Sequence, residues 1–193
     1  KDWEKKVHSI SVETSTQDMA IIGGIPPWVQ MYFEKLKKLT KKETIKDIFP
    51  NFNLFVYGGV NYKPYEKNLK KLIGKNIDTI EFYPASEGFF AYQSTQNDKG
   101  LLLQLNSGIY YEFISLEEMA KSKPLRHDIS SIEVGVNYVL IISTNAGLWG
   151  YNTGDTVSFT SKFPHKIIVT GRYNHFISAF GEHVISSEVE KAM

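Results

Sequence analysis

The 193-residue chain contains no cysteine. Disulfides, thiolate metal sites and cysteine nucleophiles are thereby excluded, and a reducing cytoplasm is the expected compartment. Arginine is nearly absent: of the 22 basic residues only Arg126 and Arg172 are not lysine. Arginine is the side chain suited to bidentate recognition of phosphates and bases, so a nucleic-acid partner is not expected. The net charge of +1 supplies no whole-chain field either. Nothing approaches the ~20 consecutive apolar residues of a membrane span; the densest run, Tyr138-Val139-Leu140-Ile141-Ile142, is of strand length. The histidines His8, His127, His165, His175 and His183 are scattered without metal-ligand spacing. What remains is a globular composition, 42% hydrophobic and 22% charged, with enough chain for a sizeable core.

Val29, Tyr32, Phe33, Leu36 and Leu39 recur at helical spacing behind Pro26 and Pro27, which predicts a helix over 27–39. Thr40 and Glu43 have capping-box spacing for a second short helix. Leu54-Phe55-Val56-Tyr57 is a buried-strand run ended by Gly58-Gly59; a helix over 64–73 with Gly74 as its cap and a strand over 77–83 follow. This order predicts an α/β layer with a mostly parallel sheet. In the second half, short strands over 101–105, 109–113, 132–135, 138–143, 156–160 and 166–170 predict a small distorted β barrel. The polar stretch Ser94–Gly100 suggests the boundary. The expected division is an α/β subdomain over 1–95, a β-barrel-like subdomain over 96–170, and over 171–193 a hinge and the start of a further domain.

The run Lys35-Leu36-Lys37-Lys38-Leu39-Thr40-Lys41-Lys42 reads as the solvated face of an amphipathic helix rather than a phosphate site. Gly58-Gly59 is either a plain tight turn or a close approach to a flat ring, because open parallel sheets bind ligands beyond the carboxyl ends of their strands. The next strand ends at the same edge in Tyr83-Pro84-Ala85-Ser86-Glu87-Gly88, bringing an aromatic ring, a hydroxyl and a carboxylate to one loop. Such a loop can stack a base, hydrogen-bond a phosphate and hold Mg²⁺ with phosphate oxygens. In Tyr151-Asn152-Thr153-Gly154-Asp155 the Gly-Asp turn is structurally explicable by itself, yet a carboxylate there can accept hydrogen bonds from a vicinal diol. Arg172 stands in Thr170-Gly171-Arg172-Tyr173-Asn174, where the β half ends, a natural hinge.

Taken in order, these pieces resemble the adenylate-forming superfamily of acyl-CoA synthetases, peptide-synthetase adenylation domains and luciferases. More closely, they resemble the auxin-responsive promoter (Gretchen Hagen) family of acyl acid amido synthetases. The similar stretches are Gly24-Ile25-Pro26-Pro27-Trp28, Gly58 to Tyr65, Tyr83 to Gly88, Tyr111-Glu112-Phe113, and Val134 to Tyr138 leading into Ala146-Gly147-Leu148-Trp149. The resemblance implies an ATP-dependent ligase. A carboxylic acid would be activated as an acyl adenylate, and the acyl group passed to an amine, which in the family's chemistry is an amino acid. By resemblance Glu87 holds Mg²⁺ and Ser86 contacts the α-phosphate. Tyr83 stacks on adenine in a pocket shaped by Gly58 and Gly59, Asp155 grips the ribose diol of ATP or AMP, Arg172 serves the ribose or phosphate side, and Asn174 is the pivot.

Asn152 departs from the arginine usual in plant members, and the stretch from Gly171 to Val184 looks more like the wider superfamily's hinge. A thiol acceptor, as in CoA ligases, and a non-catalytic nucleotide-binding relative are therefore the alternatives. Lys1 in place of Met, the lack of a phosphate loop and the helix just begun at Ser187 suggest a central piece of a longer enzyme, inactive or nearly so by itself. Trp28, Tyr62, Tyr65 and Phe89 are core candidates as much as pocket candidates for the acid.

Overall fold

The computed structural model describes residues 3–173, 177–179 and 182–184. By their contacts the residues divide into two compact units, Lys1–Phe82 and Tyr83–Met193, a division that falls before the polar stretch Ser94–Gly100. Asn174, His175 and the helix expected from Ser187 lie outside the described residues.

In the first unit the order is α1 (Trp3–Thr14), β1 (Ile21–Gly23), α2 (Pro26–Thr40), a 3₁₀ turn (Ile45–Asp47), β2 (Leu54–Gly58), α3 (Lys63–Ile73) and β3 (Asp78–Ala85), whose last residues pass into the second unit. β1 pairs with β2 and β2 with β3, both in parallel, which is the sheet expected from the sequence. Parallel neighbours require crossovers, and α2 and α3 supply them. Their buried stripes, Val29, Phe33 and Leu36 on α2 and Leu69 and Ile73 on α3, close on Phe49, Phe52 and Phe55. The rings of Phe33 and Phe52 meet edge-on at 5.7 Å, an arrangement favoured by the ring quadrupoles.

Two details differ from expectation. The capping box uses Thr44 and Asp47, not Thr40 and Glu43, because Thr40 is still helical and turns its hydroxyl back on the Leu36 carbonyl at 2.8 Å. Lys41 ends α2 in the left-handed region at φ 57°. Helix α1 carries Trp3, Val7 and Ile10 at helical spacing, yet its buried face is only Val7 and Ser11. It is held by the Thr14–Tyr32 hydroxyl pair at 2.6 Å and by Trp3 against Trp28 at 5.3 Å.

The second unit continues with β4 (Gly88–Tyr92), β5 (Leu101–Leu103), β6 (Ile109–Ser115), β7 (Asn137–Thr144), β8 (Tyr151–Lys162) and β9 (His165–Arg172). Their order is β4-β5-β9-β8-β7-β6, and every pairing among them is antiparallel. A backbone ladder of β10 (Ile177–Ala179) with β11 (Glu182–Val184) follows. The expected barrel is not formed: the sheet stays open, with β6 paired to β7 alone among these strands. The backbone of His127 takes up the outer hydrogen-bonding groups of Phe113, accepting from its N–H and donating to its carbonyl at 2.8 Å each. No strand forms over 132–135; only Val134 bridges, to Phe159. Phe90, Phe113, Tyr138, Leu140, Ile142, Val157, Phe159 and Ile167 make this unit's core.

The polar stretch itself is pinned. Asp98 accepts hydrogen bonds from the Ser94 hydroxyl at 2.7 Å and the Thr95 N–H at 2.9 Å, and pairs with Lys166 at 2.5 Å. Those partners, Lys166 foremost, hold the Asp98 carboxyl well below the usual carboxylate range.

Two predictions follow from this architecture. Gly74 caps α3 at φ 78°, and a Cβ there would lie 2.7 Å from Thr44 side-chain atoms; Gly135 has φ 85° with nothing within 4 Å. Both alanine variants carry the left-handed strain of ~1 kcal/mol, but Gly74→Ala adds a clash, so in urea unfolding it is the less stable of the two. Because the Asp98 pKa is depressed on folding, its contribution is whole above the ordinary carboxylate pKa and is lost as pH falls through and below it. The stability gap between wild type and Asp98→Asn, measured by unfolding from about pH 6 down to about pH 2, therefore narrows with acid.

Candidate functional site

Asp155 owes its position to a local irregularity that its neighbours encode. Along the β7–β8 ladder Val139 faces Thr156 and Ile141 faces Asn152, so Thr153, Gly154 and Asp155 stand opposite Leu140 alone. Gly154 accepts the left-handed φ of 77° that such a bulge needs. The Thr153 hydroxyl donates to the Leu140 carbonyl at 3.0 Å and accepts the Asp155 N–H at 3.2 Å; the Asn152 side chain takes the Gly154 N–H at 2.8 Å. The expected turn is thus a bulge inside a strand, and it re-aims the carboxylate. Below it the hydroxyls of Thr156 and Thr170 bond to each other at 2.8 Å, satisfying two buried polar groups that join β8 to β9.

Asp155 is 9% exposed and both of its oxygens are engaged. Tyr83 donates its hydroxyl to Oδ2 at 2.7 Å. Arg172, directly across the β8–β9 ladder, brings Nε to 3.0 Å from Oδ1. The Arg172 side chain remains 63% exposed, so its pairing is worth little and exchanges readily with other partners. Tyr83 is 6% exposed and meets Phe90 edge-on at 5.1 Å. Its ring is core, and its hydroxyl is the part that reaches the site. Burial first, and then Asp155 beside it, push the Tyr83 phenol far above its ordinary pKa, so it acts as a donor.

Ser86 and Glu87 form the tight turn between β3 and β4, a strand not foreseen in the sequence. Ser86 is exposed and Glu87 half-buried. Tyr151 donates its hydroxyl to Glu87 Oε1 at 3.2 Å, which ties this turn to the start of β8. Tyr83, Ser86, Glu87, Asp155 and Arg172 all belong to the second unit. Gly58 and Gly59 belong to the first, where Gly58 pairs with Phe82 at the carboxyl end of β2 and Gly59 turns at φ 82°. Tyr151 and Thr153 were not singled out as working residues, although both stand in the motif that was.

Among the described residues no three His, Asp or Glu side chains converge to cage a metal. The donor set at Glu87, one half-exposed carboxylate, nevertheless fits Mg²⁺, which binds through one or two carboxylates and completes its shell with phosphate oxygens and water. Of the aromatics weighed between core and pocket, Trp28 and Phe89 are surface residues, 54% and 41% exposed.

Residues 102–172 match the GH3 family central domain. This segment contains Asp155 and Arg172 and excludes the Tyr83–Glu87 strand end. A jasmonoyl–L-amino acid synthetase of Nicotiana attenuata is 27% identical over 140 residues, covering 68% of this chain and 24% of that protein. The chain thus spans about a quarter of that relative's length. Among solved structures, the GH3.15 acyl acid amido synthetase superposes with a TM-score of 0.72 at 13% identity, over 99% of this chain and 44% of its own. A 2-hydroxyisobutyryl-CoA ligase in complex with 2-HIB-AMP and CoA superposes with a TM-score of 0.66 at 13% identity, over 96% and 44%. The chain therefore carries a segment matching the GH3 family central domain, within a fold shared by acyl acid amido synthetases and acyl-CoA ligases.

Proposed function

We propose that this chain is the nucleotide-binding part of an ATP-dependent ligase that activates a carboxylic acid as its acyl adenylate and passes the acyl group to an amine. The observation that carries the reading is the carboxylate of Asp155, held on a strand bulge between a buried hydroxyl and an exposed guanidinium. A vicinal diol is a natural guest for a carboxylate so placed, because hydrogen bonds to a charged acceptor are strong. Arg172 has the exposure to leave Oδ1 and serve the phosphate side. Ser86, at the exposed turn, donates its hydroxyl to the α-phosphate, and Gly58 and Gly59 are assigned to the adenine by resemblance. Glu87 would hold Mg²⁺, which when bound supplies charge neutralisation at the phosphates. Adenylation needs no covalent enzyme nucleophile: alignment and neutralisation of a carboxylate against a phosphate are the whole task.

The amine acceptor is favoured by the GH3 match over residues 102–172 and by the jasmonoyl–L-amino acid synthetase relative. The likeness to a CoA ligase shows the fold alone. A cytoplasmic enzyme acting on a small acid and an amino acid, without nucleic acid, completes the reading. No helix among the described residues is long and apolar enough to cross a membrane.

Titration calorimetry of AMP with Mg²⁺ into the intact protein and its Asp155→Ala variant tests the nucleotide site. The wild type binds and the variant binds at least ~10-fold more weakly, the loss of one to two hydrogen bonds to a charged group. Equal affinities would remove Asp155 from the nucleotide site. Direct detection of the acyl amide or the acyl-CoA thioester, together with AMP, when amino acids or CoA are supplied as acceptor then separates the two reactions.

A further inference from the structure

Three facts about Asp155 are unequal in kind. Its Oδ2 accepts from a hydroxyl whose ring is 6% exposed and seated in the core. Its Oδ1 faces a guanidinium whose side chain is 63% exposed. Its backbone is set by the Thr153 hydroxyl and the Gly154 bulge. Of the two carboxylate contacts, one is therefore a permanent part of the fold and the other is open to exchange with solvent or solute.

We infer that Tyr83 is a positioning residue that acts through Asp155: its buried hydroxyl anchors Oδ2, so that a ribose diol meets the carboxylate from the Oδ1 side, in the place Arg172 now occupies. This rests on the reading of Asp155 as the ribose-binding group. The role assigned to Tyr83 lies in its hydroxyl and is separate from any contact of its ring with the base. An aspartate without this anchor would keep its charge and still rotate about χ1 and χ2, and the orientation would have to be fixed at each binding event. Prior fixation removes that cost, which is what preorganisation means for a hydrogen-bonded site. Phenylalanine at 83 retains the ring and its packing but loses the anchor, so the two roles come apart in one substitution.

The test measures diol preference, the ratio of affinities for AMP and 2′,3′-dideoxy-AMP, by calorimetry on intact wild-type protein and Tyr83→Phe. The wild type prefers AMP by about 10-fold or more, the worth of a charged hydrogen-bonded contact. Tyr83→Phe loses most of that preference while binding the dideoxy nucleotide as the wild type does. Full preference in Tyr83→Phe overturns the inference. Equal weakening toward both nucleotides overturns it too, since that is the signature of lost stacking or a damaged fold. Asp155→Glu supplies an independent arm. It keeps the charge but carries it one methylene away from the anchor, and loses the preference; a glutamate variant with full preference overturns the inference even where Tyr83→Phe does not fold. A wild type indifferent to the diol fails at an earlier step, for it sinks the ribose reading of Asp155 and this inference with it.

Discussion

A carboxylate that is nine-tenths covered cannot remain charged without partners, because the lost hydration must be replaced by hydrogen bonds or opposite charge. Asp155 is such a group, and its need links three places that are distant along the chain. Tyr83 comes from the end of β3, Asp155 from the bulge of β8 and Arg172 from the end of β9. The antiparallel ladder sets Asp155 and Arg172 face to face, and the core that seats Phe90 seats Tyr83 beside it. Much else in the second unit serves this arrangement. The bulge opposite Leu140, the left-handed Gly154 and the two-way hydroxyl of Thr153 keep one short stretch of backbone from following the regular pleat.

The structure also separates roles that one motif joins. In Tyr151-Asn152-Thr153-Gly154-Asp155 only the last residue carries a carboxylate. Tyr151 reaches out to Glu87, while Asn152, Thr153 and Gly154 hold backbone. A five-residue pattern is thus mostly scaffolding for one side chain. The Asn152 amide serves its backbone role through Oδ1, an acceptor that an arginine side chain lacks.

Much of the first unit was legible because its elements are strongly periodic. The stripe of α2, the buried run of β2 and the Gly74 cap all stand in the sequence as physical signals. Helix α1 was not foreseen: its apolar rhythm is the short Trp3, Val7, Ile10, and of these only Val7 is buried. The capping box was displaced to Thr44 because propensity near a helix end does not reveal which threonine turns its hydroxyl inward. In the second unit the strand positions were largely readable and the pairing was not: closure of a sheet depends on which edges meet, and alternation along one strand carries no such information. For the site, the resemblance singles out Tyr83 and Asp155 separately, and only the coordinates show that the Tyr83 hydroxyl meets the Asp155 carboxylate.

The backbone exchange between Phe113 and His127 has a meaning beyond local geometry. An open sheet ends in a strand whose outward N–H and C=O groups can template a foreign strand, and β6 is such an end, rich in Ile109, Tyr110, Tyr111 and Phe113. By filling the mid-strand donor and acceptor with the chain's own backbone, His127 interrupts the row that an incoming strand would need to pair along. A single crossing residue thus acts as a guard against self-association, protecting a sheet that has no barrel seam to hide its edge.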